Sequence, residues 1–277
     1  MADLENDSER TVKRMFLERI SYPEVEAYLR TSQTILLPVG SLENHGKHMP
    51  LGTDTLIPEH LCTLLDARFP ELLIAPPLHY GATEDLRGFP GTVSIGVEGL
   101  RMMLTLILDQ LFDYGFRRFI ILNGHGGNSK SIDLVGQHLY RRGAYLACLN
   151  WWLIAGQLRH EWKGGHGGGE ETAAILAVDP SLVHREFMDL PENMRNDVSD
   201  ELPSYSWTSV LFQGASVTIP RPVASITDNG WLAHGMGDDA PSRATEEMGR
   251  EMMDVMCSYI RDFALAFGRA PLPAAEK

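Results

Sequence analysis

A short segment near the start of the chain combines two carboxylates and two imidazoles. It reads Glu-Asn-His-Gly-Lys-His-Met-Pro-Leu-Gly-Thr-Asp-Thr over residues 43–55. In extended backbone, residues two apart point the same way, so Glu43 and His45 can reach one point. Asp54 can return toward that point after a turn at Gly52. Because carboxylates and imidazoles are ligands of divalent metal ions, the segment predicts a metal site.

Two further clusters extend this candidate ligand set. Asn-Gly-His-Gly-Gly-Asn occupies 123–128 after an apolar run, and His-Gly-Gly-Gly-Glu-Glu-Thr occupies 166–172 before a helical pattern. They add His125 and one or both of Glu170 and Glu171, although these two glutamates could instead be first-turn acids of a helix. Five candidate ligands favour two metal ions that share one carboxylate over a single ion. A ligand set of imidazoles and carboxylates without a thiolate indicates zinc, manganese, iron or cobalt. The ligand types alone do not decide among these four metals.

Apolar runs and helical patterns alternate along most of the chain. Strand-like runs occur at 34–39, 72–76, 118–122 and 144–149, with a weaker one at 215–219. Helical patterns occur at 12–20, 22–29, 56–69, 97–114, 129–142, 170–178 and 242–266. This alternation predicts an α/β fold with a mostly parallel central sheet and helices on both faces. Ligands bind outside the carboxyl ends of such strands, where the first two clusters fall.

The length of 277 residues suits a single α/β domain that carries an insertion. The pattern breaks between about 180 and 227 into text rich in Pro, Asp and Ser, which predicts a long loop. Trp207 and Phe212 lie within it, and these aromatic side chains could cap a pocket or contact another subunit.

Charge and composition exclude several classes of partner. Acidic residues outnumber Lys and Arg by 37 to 24, for a formal net charge of −13, which argues against nucleic acid and favours a small neutral or cationic substrate. The three cysteines are widely spaced and predicted to be reduced packing residues. Neither a signal-like core nor an apolar stretch of about 18 residues occurs, so we expect a cytoplasmic protein without a membrane partner.

Common catalytic motifs of other classes are incomplete here. The run from Gly40 to Lys47 has five residues between its glycines, where a phosphate-binding loop has four. The Gly-His-Gly text at 124–126 lacks the third glycine of a dinucleotide-binding fingerprint. The sequence contains no Gly-x-Ser-x-Gly elbow, so a serine hydrolase is unsupported.

Taken together, the three clusters resemble the motifs of the creatininase family of metal-dependent amidohydrolases. SLENHGKHMPLGTD is similar to that family's S-x-E-x-H-G-x-H-x-P-x-x-x-D signature, NGHGGN to its second motif, and HGGGEET to its third, H-x-G-x-x-E-T. PLHYG, FPGTVSI and GMGDDAPSRATEEMG extend the resemblance from about residue 14 to about residue 260.

The resemblance implies a three-layer α/β/α fold, assembly as a homo-oligomer, often a hexamer, and a two-metal centre at the strand ends. Glu43 and His125 would hold one ion, His45 and Glu171 the other, and Asp54 would bridge them. It also selects the second of the two adjacent glutamates as the ligand. We expect zinc, manganese or both as the divalent ions, with iron as an alternative.

The same resemblance assigns residues that act on the substrate. His166 corresponds to the family's catalytic histidine, which handles protons at the scissile group. Trp152 and Trp162 match two tryptophans that close over the substrate. Gly126 and Gly127 are expected at the substrate site, where the creatinine-hydrolysing member has a Tyr and a Glu. This difference argues against creatinine as the substrate, although it leaves the hydrolytic centre intact.

Three functions follow from this set of residues. The first is an amidohydrolase in which a metal-activated water attacks a carbonyl of a small polar, often cyclic amide or formamide. The second is a hydrolase that opens a cyclic polyol diketone at a carbon–carbon bond. The third is a metal-bound peptide-binding or maturation module without catalysis, which the presence of His166 beside every ligand disfavours.

Overall fold

The structure is a computed structural model that describes residues 15–189, 194–231 and 239–276. The helices in these ranges are α1 (Tyr22–Leu29), α2 (Thr53–Arg68), α3 (Gly96–Tyr114), α4 (Ser129–Arg141), α5 (Trp151–Leu158), α6 (Gly169–Val178), α7 (Val223–Ile226) and α8 (Glu246–Arg269). The strands are β1 (Thr34–Val39), β2 (Leu73–Ile74), β3 (Arg118–Asn123), β4 (Tyr145–Asn150), β5 (Ser204–Ser206), β6 (Ser209–Phe212) and β7 (Ala215–Thr218).

The central sheet contains four parallel strands in the order β2-β1-β3-β4. Their register places Val39, Asn123 and Asn150 side by side at the carboxyl end of the sheet. Because all strands run the same way, the segments that follow them emerge at one edge. This edge therefore receives the first two ligand segments.

Each face of the sheet is covered by helices. Leu36 and Ile120 belong to a buried cluster that includes side chains of α2, α5, α6 and α8. Their neighbours Ile35 and Phe119 belong to a second cluster, with side chains of α1, α3 and α4. Successive residues of a strand point to opposite faces. The result is the predicted three-layer α/β/α fold with a mostly parallel sheet.

The predicted loop between about 180 and 227 contains regular structure. Strands β5, β6 and β7 form a separate antiparallel sheet within it. The weak strand expected at 215–219 exists as β7, but it pairs with β6 and not with the central sheet. Its residues are exposed, so they have no apolar face to place against the main core.

Other boundaries differ from the sequence predictions in informative places. Residues 12–14 of the first predicted helix lie outside the described ranges, and the rest contains only a three-residue 3₁₀ turn, Leu17–Arg19. Helix α2 begins at Thr53, so Asp54 lies in its first turn. Helix α5 was not predicted. Residues 235–238 of the text GMGDDAPSR also lie outside the described ranges. Within those ranges, no helix has the length and apolarity needed to cross a membrane.

Candidate metal centre and cavity

The centre forms where the end of β3 meets the start of α2. A Cβ atom on Gly124 would lie 1.8 Å from the backbone oxygen of Asp54, so only glycine permits this approach. The close approach brings His125, which follows Gly124, to the same point as Asp54. The Gly-rich spacing of the second cluster is thus a packing requirement as well as a motif.

Asp54 faces two histidines with its two carboxylate oxygens. Its Oδ1 lies 2.9 Å from Nε2 of His45, and its Oδ2 lies 3.1 Å from Nδ1 of His125. Glu43 Oε2 lies 3.1 Å from the same Nδ1. Glu171 Oε2 lies 3.7 Å from the His45 Nε2 atom. The five predicted ligands therefore form two groups that share Asp54.

Both histidines are oriented by the nitrogen that faces away from the carboxylates. The His45 Nδ1–H donates to the backbone oxygen of Glu43 at 3.2 Å, and the His125 Nε2–H donates to that of Ala82 at 2.9 Å. Since a carbonyl only accepts, these contacts fix the tautomer of each neutral ring. The remaining nitrogens are free to bind a metal ion, an arrangement usual for metal-ligating histidines.

The donor set fits divalent cations. Three sets of three described residues bring ligand atoms within 4.8 Å of one another. Two of them share Asp54, namely Glu43, Asp54 and His125, and His45, Asp54 and Glu171, and the third combines Glu43, His45 and His166. Glu43 Oε1 is fully buried and makes no hydrogen bond within the described part of the chain, and the buried His45 Nε2 faces carboxylate oxygens. A buried polar atom without a partner is costly, and a cation would satisfy Glu43 Oε1 and could be bound by His45 Nε2.

The charges of these groups depend on each other. Burial opposes the charged form of His45, but the carboxylates of Asp54 and Glu171 outweigh it and raise the pKa of His45 to about 10. Burial raises the pKa of Glu171 to about 8, against the opposing effect of the His45 charge. Protons thus occupy this cluster of carboxylates and imidazoles when no metal ion compensates the charge.

His166 lies beside the candidate ligands. Its ring centroid is 4.2 Å from that of His45, and its Nδ1 is 3.7 Å from Glu43 Oε1. The Nε2–H donates to the backbone oxygen of Asn44 at 2.7 Å. Burial, and then the charge of His45, lower the pKa of His166 well below its ordinary value. The imidazole is therefore neutral, with its Nδ1 lone pair as the free proton acceptor.

A cavity of about 460 Å³ opens onto this centre. The predicted residues that line it are Asp54, His125, Gly126, Gly127, Trp152, His166 and Glu171. At Gly127 a Cβ would lie 2.2 Å from the backbone oxygen of Ala82, so this backbone excludes a glutamate there.

Trp162 differs from its expected position. It is 1 % exposed and belongs to the hydrophobic core, and the Arg159 guanidinium covers its ring at 4.5 Å. It is not among the residues that line the cavity. Trp207 lines the cavity, and its ring stands edge-on to His166 at a centroid distance of 4.5 Å. The insertion, and not the segment after α5, therefore supplies the aromatic residue next to His166.

Two supporting residues were missed in the sequence. The Ser41 hydroxyl lies 2.8 Å from both Glu43 Oε2 and Asp54 Oδ2, where it bridges the carboxylates. Asp239 accepts hydrogen bonds from the backbone N–H groups of Gly165 and Gly169, both at 2.7 Å, and so fixes the segment that carries His166. Ser41 is the serine of the first motif, and that motif signals its role. No local signal in the sequence identifies the role of Asp239.

Comparison with known proteins agrees with this geometry. The family model Creatininase, described as creatinine amidohydrolase, matches residues 18–264, and the chain belongs to the creatininase family. A solved creatininase in a manganese form superimposes with a TM-score of 0.70 at 26% identity, and the match covers 93% of this chain and 100% of that one.

Three relatives have different activities in their names. The mycofactocin precursor peptide peptidase of Mycobacterium ulcerans is 34% identical over 55% of this chain and 61% of its own length, so less than two thirds of that relative is matched. The creatinine amidohydrolase of Pseudomonas putida is 32% identical over 62% of this chain and 74% of its own. The 3-dehydro-scyllo-inosose hydrolase of Thermotoga maritima is 24% identical over 95% of this chain and 88% of its own length.

Proposed function

We propose that the protein is a hydrolase with two divalent metal ions that cleaves a carbon–nitrogen bond of a small polar amide or formamide. The observation that carries this proposal is the position of Asp54, whose two oxygens face His45 and His125 separately. The names of two relatives, a creatinine amidohydrolase and a peptide peptidase, support carbon–nitrogen cleavage. The cavity volume falls within the range of small-molecule sites.

The residues of the two groups would hold the ions. Glu43 and His125 would bind one, His45 and Glu171 the other, and Asp54 both. Bound divalent ions would polarise a substrate carbonyl and lower the pKa of a water molecule. Solved family members described as Zn–Zn and Mn forms support zinc or manganese in this role.

His166 would move the proton of the reaction. Its Nε2–H is held by the Asn44 carbonyl, so only Nδ1 can accept a proton. A neutral imidazole first takes a proton from the attacking water and then returns it to the leaving group. The sequence suggested a proton donor, and in this proposal donation follows acceptance. Trp207, packed edge-on against this ring, limits its rotation.

A second candidate is cleavage of a carbon–carbon bond in a cyclic polyol diketone. The inosose hydrolase relative aligns over 95% of this chain, further than the other two relatives reported above. Attack of water on a ketone would use the same ligands and the same histidine. The two functions therefore differ in substrate and not in the centre.

An NMR turnover screen tests both candidates. Manganese-loaded and zinc-loaded protein is incubated with pooled lactams, N-formyl compounds, short peptides and cyclic diketo-polyols. Loss of an amide or formyl signal supports the first proposal, and loss of a diketone signal alone supports the second. The matched control is Glu43→Gln, which keeps the side-chain shape but removes a ligand charge. If the loaded protein turns over no compound, the hydrolase proposal fails and a non-catalytic binding module is favoured.

We also propose that the chain forms a homo-oligomer, with a hexamer as the reference state. Helix α3 exposes Met102 and Leu106, which are 58% and 67% accessible in the single chain. Exposed apolar side chains on one helix favour a covered surface. Light scattering coupled to size-exclusion chromatography gives the mass directly, and a monomer at micromolar concentration would contradict this assignment.

A further inference from the structure

The cavity is acidic even apart from the metal ligands. Its lining in the described ranges includes the carboxylates of Asp54, Asp85, Glu170 and Glu171 but no lysine or arginine. The two internal segments outside those ranges, 190–193 and 232–238, also contain neither residue type in the sequence. A substrate with a phosphate or carboxylate would therefore meet no lysine or arginine from the described lining.

Asp85 is the carboxylate in this lining that has no other role. Asp54 and Glu171 belong to the metal-binding groups, and Glu170 packs against Asp239. Asp85 makes no hydrogen bond or ion pair with any residue in the described part of the chain. The nearby Thr83 also lines the cavity, is 3% exposed, and its hydroxyl has no hydrogen-bond partner in the same ranges. Two polar groups at this wall thus lack protein partners.

The fold places Asp85 on the same wall as Trp207. Leu86, the next residue, is buried against Val223, and Trp207 and Met194 pack on this pair. The wall is therefore a small apolar cluster that joins the insertion to the segment before α3. Asp85 precedes the buried Leu86 within the 3₁₀ turn Glu84–Leu86, and it lines the same cavity as Trp207.

Arg221 fixes the insertion that supplies the aromatic side chain. Its Nη2 lies 3.3 Å from the backbone oxygen of Ser206 and 3.4 Å from that of Ser209, and these residues flank Trp207. Its Nε lies 3.2 Å from a carboxylate oxygen of Asp197. The buried guanidinium thereby holds the turn between β5 and β6. These contacts fix the backbone on either side of Trp207.

We propose that this wall binds a positively charged group of the substrate, a guanidinium or ammonium, with Asp85 as counter-ion and the indoles of Trp207 and Trp152 as aromatic surfaces. Carboxylates and aromatic faces together are the usual elements of cation recognition. The inference names the substrate class of the hydrolase proposed above and rests on that function.

Electrostatics at this wall agree with the inference. Burial, and then the neighbouring charge of Glu84, raise the pKa of Asp85 above its ordinary value. A bound cation would offset this unfavourable environment. When two divalent ions are bound, the charges of Glu43, Asp54 and Glu171 are compensated, so Asp85 remains as a carboxylate available to a substrate cation.

Binding of two small probes tests the proposal without any turnover. Methylguanidinium and methylurea have nearly the same shape and differ in charge, and their affinities for the zinc-loaded full chain are measured by NMR titration. Asp85→Asn should weaken methylguanidinium binding about fivefold, the ratio expected for one partly screened ion pair, and leave methylurea unchanged. Trp207→Leu should also weaken methylguanidinium binding. Because Asp85 has no protein partner in the described ranges, its replacement removes no contact that the fold needs.

Glu84→Gln is the matched control, because it removes the same charge one residue away from a side chain that does not line the cavity. It should leave methylguanidinium affinity as in the wild type. Equal loss in both variants, or no loss in Asp85→Asn, overturns the proposal. The result is independent of the turnover screen. Charge-selective binding without hydrolysis would support this inference and reject the hydrolase. Hydrolysis without charge-selective binding would support the hydrolase and reject this inference.

Discussion

The imidazole Nε2 of His48 lies 3.0 Å from the hydroxyl oxygen of Thr172. Burial, and then the charge of His45, lower the pKa of His48 to about 4, so the ring is neutral. The Thr172 hydroxyl donates to the backbone oxygen of Gly168 at 2.7 Å, which leaves it to accept from His48. Thr172 follows the candidate ligand Glu171 in the chain. The contact therefore connects the first ligand segment to the third.

Loss of this contact should weaken one metal position more than the other. Thr172→Val keeps the side-chain shape but leaves His48 without its acceptor, so we expect Glu171 to be less well oriented. Loss of such a supporting hydrogen bond typically costs about ten- to a hundredfold in metal affinity. Zinc titration followed by mass spectrometry should show one ion retained and the second bound more weakly. Thr63→Val, in an exposed part of α2, is the control, and equal affinities in both variants would contradict this role.

Metal removal should lower the melting temperature. Without cations, Glu43, Asp54 and Glu171 must share the site with protonated imidazoles. An ion at a hundred times its dissociation constant stabilises the folded state by about 2.7 kcal/mol, which corresponds to roughly 5–10 °C in a chain of this size. Differential scanning calorimetry with and without chelator measures the difference. Glu43→Gln should show a smaller difference in melting temperature between the two conditions. Identical melting of chelated and metal-loaded wild-type protein would refute the assignment of a metal site.

Replacement of His166 should reduce turnover without loss of the metal ions. Because Nδ1 is the proton acceptor nearest the ligands, His166→Ala removes general acid–base catalysis, which contributes about 10²- to 10⁴-fold. The rate is measured on the substrate that the NMR screen identifies, and metal content is measured in parallel. His79→Gln, at an exposed histidine outside the cavity that opens onto the metal centre, should retain full activity. Unchanged turnover in His166→Ala would remove this residue from the mechanism.

The sequence was sufficient to predict the central sheet and the candidate ligands that the structure brings together, because both depend on local signals. Buried parallel strands such as β1 and β3 are continuous apolar runs, and such runs are bounded clearly by turn residues. The ligands lie in short segments directly after such strands. The start of α2 was harder to predict, since Thr53 and Asp54 have no strong preference for a helix and are placed by the contact with Gly124.

The walls of the cavity could not be predicted in the same way. Trp162 and Trp207 both occur in polar text, and nothing local distinguishes a buried indole from one that faces a ligand. Trp162 is covered by the main core, whereas Trp207 is held at the cavity by Arg221, fourteen residues further along the chain. The small sheet of the insertion was missed because its strands are short and partly exposed, without an apolar alternation.

The cysteines provide a test of the packing role predicted for them. All three are free thiols, and Cys148 is the least buried. Burial, and then the charge of Asp133, raise the pKa of Cys148 to about 12. Since the thiolate is the reactive form, a shift of this size predicts about a thousandfold less thiolate at pH 7 than at an unperturbed thiol. Iodoacetamide should leave Cys148 of the folded protein unmodified at pH 7 and label it in denaturant. Rapid native labelling would contradict the packing role.

Two glycines within helices should respond to alanine in opposite directions. At Gly249 of α8 a Cβ would lie 1.8 Å from the backbone oxygen of Ala173 in α6, whereas at Gly136 of α4 the nearest atom would be 3.7 Å away, on Leu146. Alanine favours a helix over glycine by about 0.5–1 kcal/mol, so Gly136→Ala should stabilise the protein by up to that amount.

The same gain at Gly249 is opposed by overpacking, which costs about 1–3 kcal/mol and here requires α8 to move away from α6. Because α6 carries Glu171 in its first turn, Gly249→Ala should weaken zinc binding as well as lower stability. Urea denaturation of both variants, with and without zinc, measures the two effects. A neutral or stabilising Gly249→Ala would show that the contact between α6 and α8 is looser than the structure indicates, and that the position of Glu171 does not depend on it.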